Sequence, residues 1–353
     1  MKSLPAYEQV KQAVLSYIRT HGLKPGDKLP PEAEFRRQLG WSRVTVMRGL
    51  DELEWEGIIE RVKGSGNYVA DFSKRKRTLR ILIGTRPGLN MGHDYTGLLL
   101  QGICSEAAAQ QVEVVYYDNN PLPPIERFKE SGADGLLLIA LALDEFHKVL
   151  PLQEQGVPLL AVASRNRGLA VPCVCTDNFG ALRDAVAYLY RLGHHRVAYL
   201  THGASSSDVQ ERILGYQQGL LQTGIPLNPA FLLAGGKTPE IAFLRHWWLG
   251  LPEKPTAIIV SQDLTAPMMG MMAELGVRIP DEVSLIATDD HPIFDNMTPG
   301  VTALRQPVAE LGRLGLSKLL AHIKGASIGA LEEILPIELV CRGTVAAPSQ
   351  ANS

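Results

Sequence analysis

Three polar side chains that could contact DNA, Arg43, Thr45 and Arg48, follow Ser42 at spacings that place them near the start of one helix. Arginine and threonine donate hydrogen bonds to base edges in the major groove and to backbone phosphates. Further along, a basic turn containing two glycines can approach a phosphate backbone closely. The candidate DNA-binding residues are therefore Ser42, Arg43, Thr45, Arg48, Lys63, Gly64, Ser65 and Gly66.

The surrounding pattern predicts helices and a β-ribbon that would position these residues. An amphipathic helix is expected over residues 7–20. A second helix would begin near Pro31 and end at Gly40, which tolerates the left-handed conformation. Ser42 would cap a third helix that runs to about Glu56 and buries Val46, Leu50 and Leu53. Residues 58–62 and 67–69 would form the ribbon.

A plain helical hairpin with solvated charges is the alternative to DNA binding. The order of turn, capped basic helix and glycine-tipped ribbon favours DNA binding over it. This order resembles the winged helix-turn-helix of the gluconate-repressor (GntR) family. The residues that match the family pattern are Leu29, Pro30, Glu32, Phe35, Leu39, Ser42, Arg43, Thr45, Val46, Leu50, Leu53, Gly57, Gly64, Gly66 and Val69. The chain departs from the pattern at Pro31, Ala33 and Met47, where Ser, Arg and Arg are usual, so the operator sequence does not follow.

Charge is divided unevenly along the 353 residues. Residues 1–78 contain 15 Lys and Arg against 10 Asp and Glu, whereas the remainder contains 20 against 27. A basic first part on an acidic body suits nucleic-acid contact at one end. Residues 71–78 form a short charged linker, which could contact phosphates or be a solvated tether.

From Leu79 the chain alternates short apolar strands with helices, which is typical of parallel sheets covered on both faces. The predicted fold class is α/β: an N-terminal winged helix-turn-helix plus a two-lobed, Rossmann-like, periplasmic-binding-protein fold. The expected divisions are a DNA-binding domain at 1–70, the linker at 71–78, a sensor and dimerisation domain at 79–347, and a tail at 348–353. The expected lobes are 79–176 plus 307–332, and 177–306 plus 333–347.

The body itself resembles the lactose- and galactose-repressor family. The matching segments are residues 176–178, 191–200, 211–216, 280–290, 302–307 and 335–343. The resemblance implies a sensor whose two lobes close on a small ligand. Together with the first domain, it implies the architecture of arabinose-repressor-type regulators.

The resemblance also implies ligand contacts in the cleft between the lobes. These candidates are Asp94, Tyr95, Asp208, Arg212, Gln262, Asp289 and Gln306. Arg212 could instead pair with an aspartate, Asp289 could be a turn residue, and Asp94 and Tyr95 could lie in a solvated loop. Asp263 is expected to be a helix cap.

The expected ligand is a small polar molecule, a sugar or a derivative. The strand that commonly ends Asp-Arg in this family here ends Ala163-Ser164, so one cleft carboxylate is missing. Trp247 and Trp248 are expected in packing, and Cys173 and Cys175 as buried thiols, not metal ligands. We expect no cofactor, no metal and no catalysis, because the sequence has none of the common hydrolase, metalloprotease or nucleotide-binding motifs.

The sequence therefore predicts a bacterial transcription regulator, a homodimeric repressor bound to a pseudo-palindromic DNA site. The residues at the N-terminus lack the apolar core of a signal peptide, and no apolar run approaches a membrane span, so a cytoplasmic protein is expected. A solute-binding protein without a DNA role, and an enzyme on the same scaffold, are the alternatives.

Overall fold

The computed structural model describes residues 5–55, 57–70, 78–85, 94–117, 125–202, 206–235, 240–327 and 332–349. The chain divides into two compact units, Met1–Arg77 and Thr78–Ser353. Among the described helices, none combines the length and apolar character needed to cross a bilayer. The predicted linker, apart from Thr78, lies outside the described residues.

The first unit is a three-helix fold with a two-stranded antiparallel ribbon. Its elements are α1 (Ala6–Thr20), α2 (Glu32–Leu39), α3 (Arg43–Trp55), β1 (Ile59–Val62) and β2 (Gly66–Val69). Val46, Leu50 and Leu53 of α3 are buried in one apolar core with residues of α1 and α2. Gly40 ends α2 in the left-handed conformation, with a φ of 68°. The helix-turn-helix and ribbon predicted from the sequence are confirmed.

The second unit begins with alternating strands and helices: β3 (Arg80–Thr85), α4 (Asp94–Gln110), β4 (Glu113–Tyr117), α5 (Ile125–Glu130), β5 (Gly135–Ile139), α6 (Leu150–Glu154), β6 (Leu159–Val162) and β7 (Cys173–Thr176). It continues with α7 (Asn178–Arg191), β8 (Val197–His202), α8 (Ser207–Thr223), β9 (Leu232–Gly235), α9 (Ile241–Gly250), β10 (Ala257–Val260), α10 (Gln262–Glu274), β11 (Ser284–Ala287) and β12 (Thr302–Arg305). It ends with α11 (Val308–Ile323), β13 (Glu332–Leu335) and β14 (Glu338–Val340). Short 3₁₀ helices lie at Leu143–Lys148, Pro229–Phe231 and Pro292–Asp295.

The described strands of this unit form two six-stranded sheets, one in each lobe. The first lobe has the order β13-β7-β6-β5-β3-β4, and the second has β14-β12-β11-β10-β8-β9. All neighbours are parallel except β14, which pairs antiparallel with β12. The chain therefore passes between lobes after Thr176, after Arg305 and after Leu335. Because β13 extends the first sheet to Leu335, the expected lobe boundary at 332 lies three residues too early.

Helices cover both faces of each sheet, which explains why most of the strands are apolar throughout. In the first lobe, α4 and α11 are in close contact, because a Cβ on Gly102 would lie 1.8 Å from the Ala309 carbonyl oxygen. Trp247 and Trp248 are buried in the second lobe, as expected. The free thiols of Cys173 and Cys175 are buried in an apolar cluster of the first lobe.

Candidate functional site

The first turn of α3 presents polar and charged side chains to solvent. Ser42 caps this helix, since its hydroxyl accepts a hydrogen bond from the Thr45 amide at 3.2 Å. The hydroxyls of Ser42 and Thr45 also share a hydrogen bond of 2.9 Å. The Arg43 side chain is 73% exposed and lies 3.4 Å from a Glu32 carboxylate oxygen. A capped helix end with an exposed arginine is suited to contact with base edges.

Arg48, although predicted to contact DNA, has its guanidinium stacked on the Tyr7 ring, 4.3 Å from the ring centroid. Tyr7 belongs to α1, which packs against α3. Although Arg48 is exposed, this cation–π contact holds its guanidinium over a ring of α1.

The turn between β1 and β2 has the geometry expected for a wing tip. Lys63, Gly64 and Ser65 are exposed, and Gly64 and Gly66 have φ values of 78° and 125°. These backbone conformations favour glycine. The Ser65 and Tyr68 hydroxyls share a hydrogen bond. The four predicted wing residues therefore form one exposed basic turn.

Four further residues of this region, Lys28, Val44, Arg61 and Tyr68, were not among the predicted DNA-binding residues. Lys28 forms an isolated antiparallel bridge with Tyr68, and its ammonium lies over the Tyr68 ring at 5.7 Å. The Arg61 guanidinium donates to the Met47 carbonyl at 3.3 Å and pairs with Asp51 at 2.8 Å, which fixes the wing to α3. Lys28 could have been suspected from its charge, whereas the contacts of Arg61 depend on tertiary structure.

In the second unit, a buried polar network centred on Arg212 lies in the second lobe, beside two of the crossovers between the lobes. Arg212 is 5% exposed. Its guanidinium forms two hydrogen bonds of 2.9 Å with the Asp289 carboxylate and donates to Asn178 at 2.7 Å and to Thr288 at 3.0 Å. These bonds use four of its five N–H groups. Arg212 and Asp289 thus form an ion pair in the cleft wall.

Gln306 connects this network to the crossovers. Its amide nitrogen donates to Asp289, and its amide oxygen accepts a hydrogen bond of 2.6 Å from Thr176. Thr176 ends the first crossover strand, and Gln306 follows the second one. Hydrogen bonds therefore connect Asp289 to residues at two of the three crossovers.

Burial and charge act together on the ionisable groups of this network. Burial alone would lower the pKa of Arg212, but the nearby Asp289 carboxylate raises it above its ordinary value. Burial raises the pKa of the Tyr95 hydroxyl, and the charges of Asp208 and Asp289 raise it further. Arg212 is therefore charged and Tyr95 is neutral at physiological pH.

Two cavities adjoin Tyr95 in the cleft. The smaller is lined by Tyr95, Ser164, Arg165, Thr176, Asn178 and Asp208, among others. The larger, of about 290 Å³, is lined by Tyr95, Gln262, Asp289, Asp290, Arg305 and Gln306, among others. Every predicted ligand-binding residue whose side chain is described thus lines one of these cavities or contacts a lining residue. The Asp94 side chain lies outside the described residues.

Asp263 is not the helix cap that the sequence suggested. The helix α10 begins at Gln262 with Ser261 as its N-cap, so Asp263 lies inside the first turn. Its carboxylate accepts a hydrogen bond of 2.5 Å from His202. Burial alone would raise the pKa of Asp263, but the hydrogen bond and charge of His202 lower it.

One edge of the cleft is joined by an ion-pair cluster between the lobes. Arg165 and Arg167, which follow β6, both contact Glu211 of α8, at 3.2 and 2.8 Å respectively. The Arg165 amide also donates to the Ser207 hydroxyl at 3.1 Å. Burial alone would lower the pKa of Arg165, but the Glu211 carboxylate raises it. This cluster holds the lobes together at that edge.

Comparison with known proteins identifies both parts of the chain. Residues 6–69 match the model of bacterial regulatory proteins of the gntR family, and residues 186–345 match that of a periplasmic binding protein-like domain. The Geobacillus stearothermophilus arabinose metabolism transcriptional repressor is 26% identical across 95% of each chain. A probable opine utilization operon repressor of Rhizobium rhizogenes is 33% identical over 49% of this chain and 93% of its own length. The crystal structure of an Enterococcus faecium LacI family regulator with bound ribose is 22% identical and has a TM-score of 0.63, over 76% of this chain and 99% of that one.

Proposed function

Because the chain belongs to the gntR family of bacterial regulatory proteins and carries a periplasmic binding protein-like domain, we propose that it represses transcription under the control of a small ligand. The first unit binds DNA, and the cleft between the lobes binds the ligand. The observation that carries this proposal is the presence, in one chain, of an exposed Arg43 and a glycine-tipped wing in the first unit and of a cleft lined by charged and amide side chains in the second.

We assign residues 1–70 to DNA binding, 71–78 to the linker, 79–347 to the sensor, and 348–353 to a tail. In this assignment Arg43 and Thr45 contact bases or nearby phosphates, and the turn at residues 63–66 contacts the DNA backbone or minor groove. A homodimer would present two copies of α3 to successive major grooves of a pseudo-palindromic site, about 10 base pairs apart or a multiple of that. Because its target is genomic DNA, the protein would act in the cytoplasm.

The ligand that fits the cleft best is a neutral sugar or sugar derivative. Among the described residues, both arginines that line the cleft cavities already pair with a carboxylate, Arg165 with Glu211 and Arg305 with Asp290. Arg212, which is buried behind the cavity lining, pairs with Asp289. An anionic ligand would have to displace one of these carboxylates, whereas sugar hydroxyls can hydrogen bond to the pairs as they stand. The ribose bound to the Enterococcus faecium regulator supports the same class.

Ligand binding changes DNA affinity only if the ligand binds the two states of the protein with different affinity. The network from Asp289 through Gln306 to Thr176 connects the cleft wall to two of the three crossovers and provides a route for this coupling. We expect no turnover of the bound ligand. Incubation with each ligand that binds, followed by analysis of the mixture, would detect any turnover.

DNA binding is tested by selecting duplexes from a random-sequence pool with the full chain. We expect wild type to enrich one pseudo-palindromic sequence and Arg43→Ala to lose at least tenfold in affinity for it. Arg19→Ala removes the same charge from the last turn of α1 and serves as the matched control. If no sequence is enriched, or if both variants bind alike, the assignment of the DNA-binding surface is wrong.

Ligand binding is tested by thermal unfolding against neutral sugars, sugar acids and polyols. A ligand at one hundred times its Kd stabilises the protein by about 2.7 kcal/mol. We expect a neutral sugar to raise the Tm and its corresponding acid to have a smaller effect. A response to acids alone would contradict the proposed ligand class while leaving DNA binding intact.

A further inference from the structure

Val44 is the most exposed of the large apolar side chains in the described residues, at 78%. Single exposed apolar residues are common, so exposure alone carries no function. The position of Val44 is what matters, because it lies between Arg43 and Thr45 in the first turn of α3. It precedes the fully buried Val46 by two residues, a rotation of about 200° on a helix, and therefore points away from the core.

The remaining side chains of α3 are less available for contact with base edges. Arg48 is stacked on Tyr7, and the Thr45 hydroxyl is bonded to Ser42. In the following turns, Arg61 of the wing donates to the Met47 carbonyl and forms an ion pair with Asp51, whose carboxylate accepts and cannot donate to a base edge. Arg43 and Val44 are thus the two strongly exposed side chains at the start of the helix.

The chemistry of an isopropyl group limits what it can recognise in DNA. Among the groups that base pairs present in the major groove, the 5-methyl of thymine is the apolar one, and the others are hydrogen-bond donors and acceptors. Valine has one strongly preferred rotamer in a helix, so little side-chain freedom is lost when it makes such a contact. An arginine beside it can donate two hydrogen bonds to a guanine.

We propose that Val44 contacts the 5-methyl group of a thymine in the operator, next to the base contacted by Arg43. This inference rests on the proposed DNA-binding function and adds a specificity-determining residue to it. It also states a requirement for the operator: each half-site must contain a thymine whose methyl group contributes to affinity.

The test uses the duplex that the full-length wild-type protein selects from a random pool. Each thymine in one half-site is replaced in turn by deoxyuridine, which removes the 5-methyl group and leaves every hydrogen-bonding group unchanged. We expect one replacement to weaken wild-type binding about fourfold, the effect of leaving one methyl-sized group unburied. Replacement of the other thymines should have little effect.

The same series is then measured with Val44→Ala. This variant should bind the thymine duplex several-fold more weakly than wild type and should bind the critical deoxyuridine duplex no more weakly than the thymine duplex. Val44→Thr retains one methyl group and should keep part of the discrimination. Leu221→Ala removes an aliphatic side chain that is 74% exposed on α8 and should show the wild-type profile. Because Val44 is exposed, its variants should unfold at the wild-type temperature.

Two results would overturn the proposal. In the first, wild type tolerates every deoxyuridine, or the selected duplex contains no sensitive thymine. In the second, Val44→Ala remains as sensitive to the critical deoxyuridine as wild type. Either result leaves the DNA-binding function standing if Arg43→Ala still loses affinity. Failure of the DNA-binding function would be seen separately, as the absence of any selected duplex.

Discussion

The buried ion pair between Arg212 and Asp289 allows a quantitative test of how the cleft wall is stabilised. We consider Arg212→Met, which nearly preserves volume, and Asp289→Asn, which nearly preserves shape. Each leaves one charge without its partner in a buried network. Breaking a buried ion pair from one side costs about 3–5 kcal/mol, a large part of a typical stability of about 5–15 kcal/mol.

The two single variants should not be equally destabilised. The Arg212 side chain is 6% exposed and that of Asp289 is 21% exposed, so water can solvate an unpaired Asp289 more readily than an unpaired Arg212. We therefore expect Asp289→Asn to lie near the upper end of this range and Arg212→Met near the lower end. The double variant should be destabilised by at least about 2 kcal/mol less than the sum, because it contains neither charge.

Urea unfolding followed by tryptophan fluorescence measures these free energies. The chain has four tryptophans, and Trp247 and Trp248 are buried in the lobe that contains Arg212. Replacement of Trp41 and Trp55 by phenylalanine gives a background whose signal comes from that lobe alone. Strictly additive losses, or single losses below about 1 kcal/mol, would refute the argument that the pair is buried and coupled.

Three further changes have defined outcomes. Glu211→Gln weakens the ion-pair cluster that holds the lobes together beside the cleft, so ligand affinity should fall by about fivefold. An unchanged affinity would show that the cluster does not stabilise the closed lobes. Burial lowers the pKa of His194, so the folded protein favours the neutral imidazole. Its contribution to stability is therefore fully present above the unfolded pKa of about 6.5 and is lost as the pH falls below that value toward the folded pKa. His194→Gln should therefore reduce the loss of stability below pH 6.5, whereas the exposed His195→Gln should retain it. Gly66→Ala would place a Cβ on a residue with a φ of 125°, 3.1 Å from the Cε of Lys28, and would therefore distort the wing tip. DNA affinity should fall while the ligand-induced rise in Tm remains. Equal DNA affinity would mean that the wing tip does not contact DNA.

Local signals were sufficient to predict much of the fold. Gly40 and Ser42 define the turn and the cap of the helix-turn-helix, because their conformational preferences are properties of single residues. The short strands β9, β12 and β14 were not predicted. A strand of three or four residues has too little periodicity to identify it unless a turn signal adjoins it, as the two glycines do between β1 and β2. Asp263 was expected to cap a helix that in fact begins at Gln262, because Ser261, a second polar residue able to cap, precedes it.

Tyr95, Asp289 and Gln306 line one cleft, and Arg212 pairs with Asp289 behind them. That these residues contact a ligand, as the resemblance implies, stays a prediction. Their mutual bonds depend on residues far apart in the sequence and could not be derived from spacing. The same holds for Arg48, whose stacking on Tyr7 of another helix no local pattern indicates.

The measurement that tests the account most directly is the linkage between the two ligands. The affinity of the full chain for its selected duplex is measured with and without a saturating sugar, and the affinity for that sugar is measured with and without saturating DNA. We predict that the sugar changes DNA affinity at least fivefold and that DNA changes sugar affinity by the same factor, because both ligands draw on one coupling free energy. If sugar and DNA both bind tightly but neither changes the affinity for the other, the claim that the cleft controls DNA binding is contradicted.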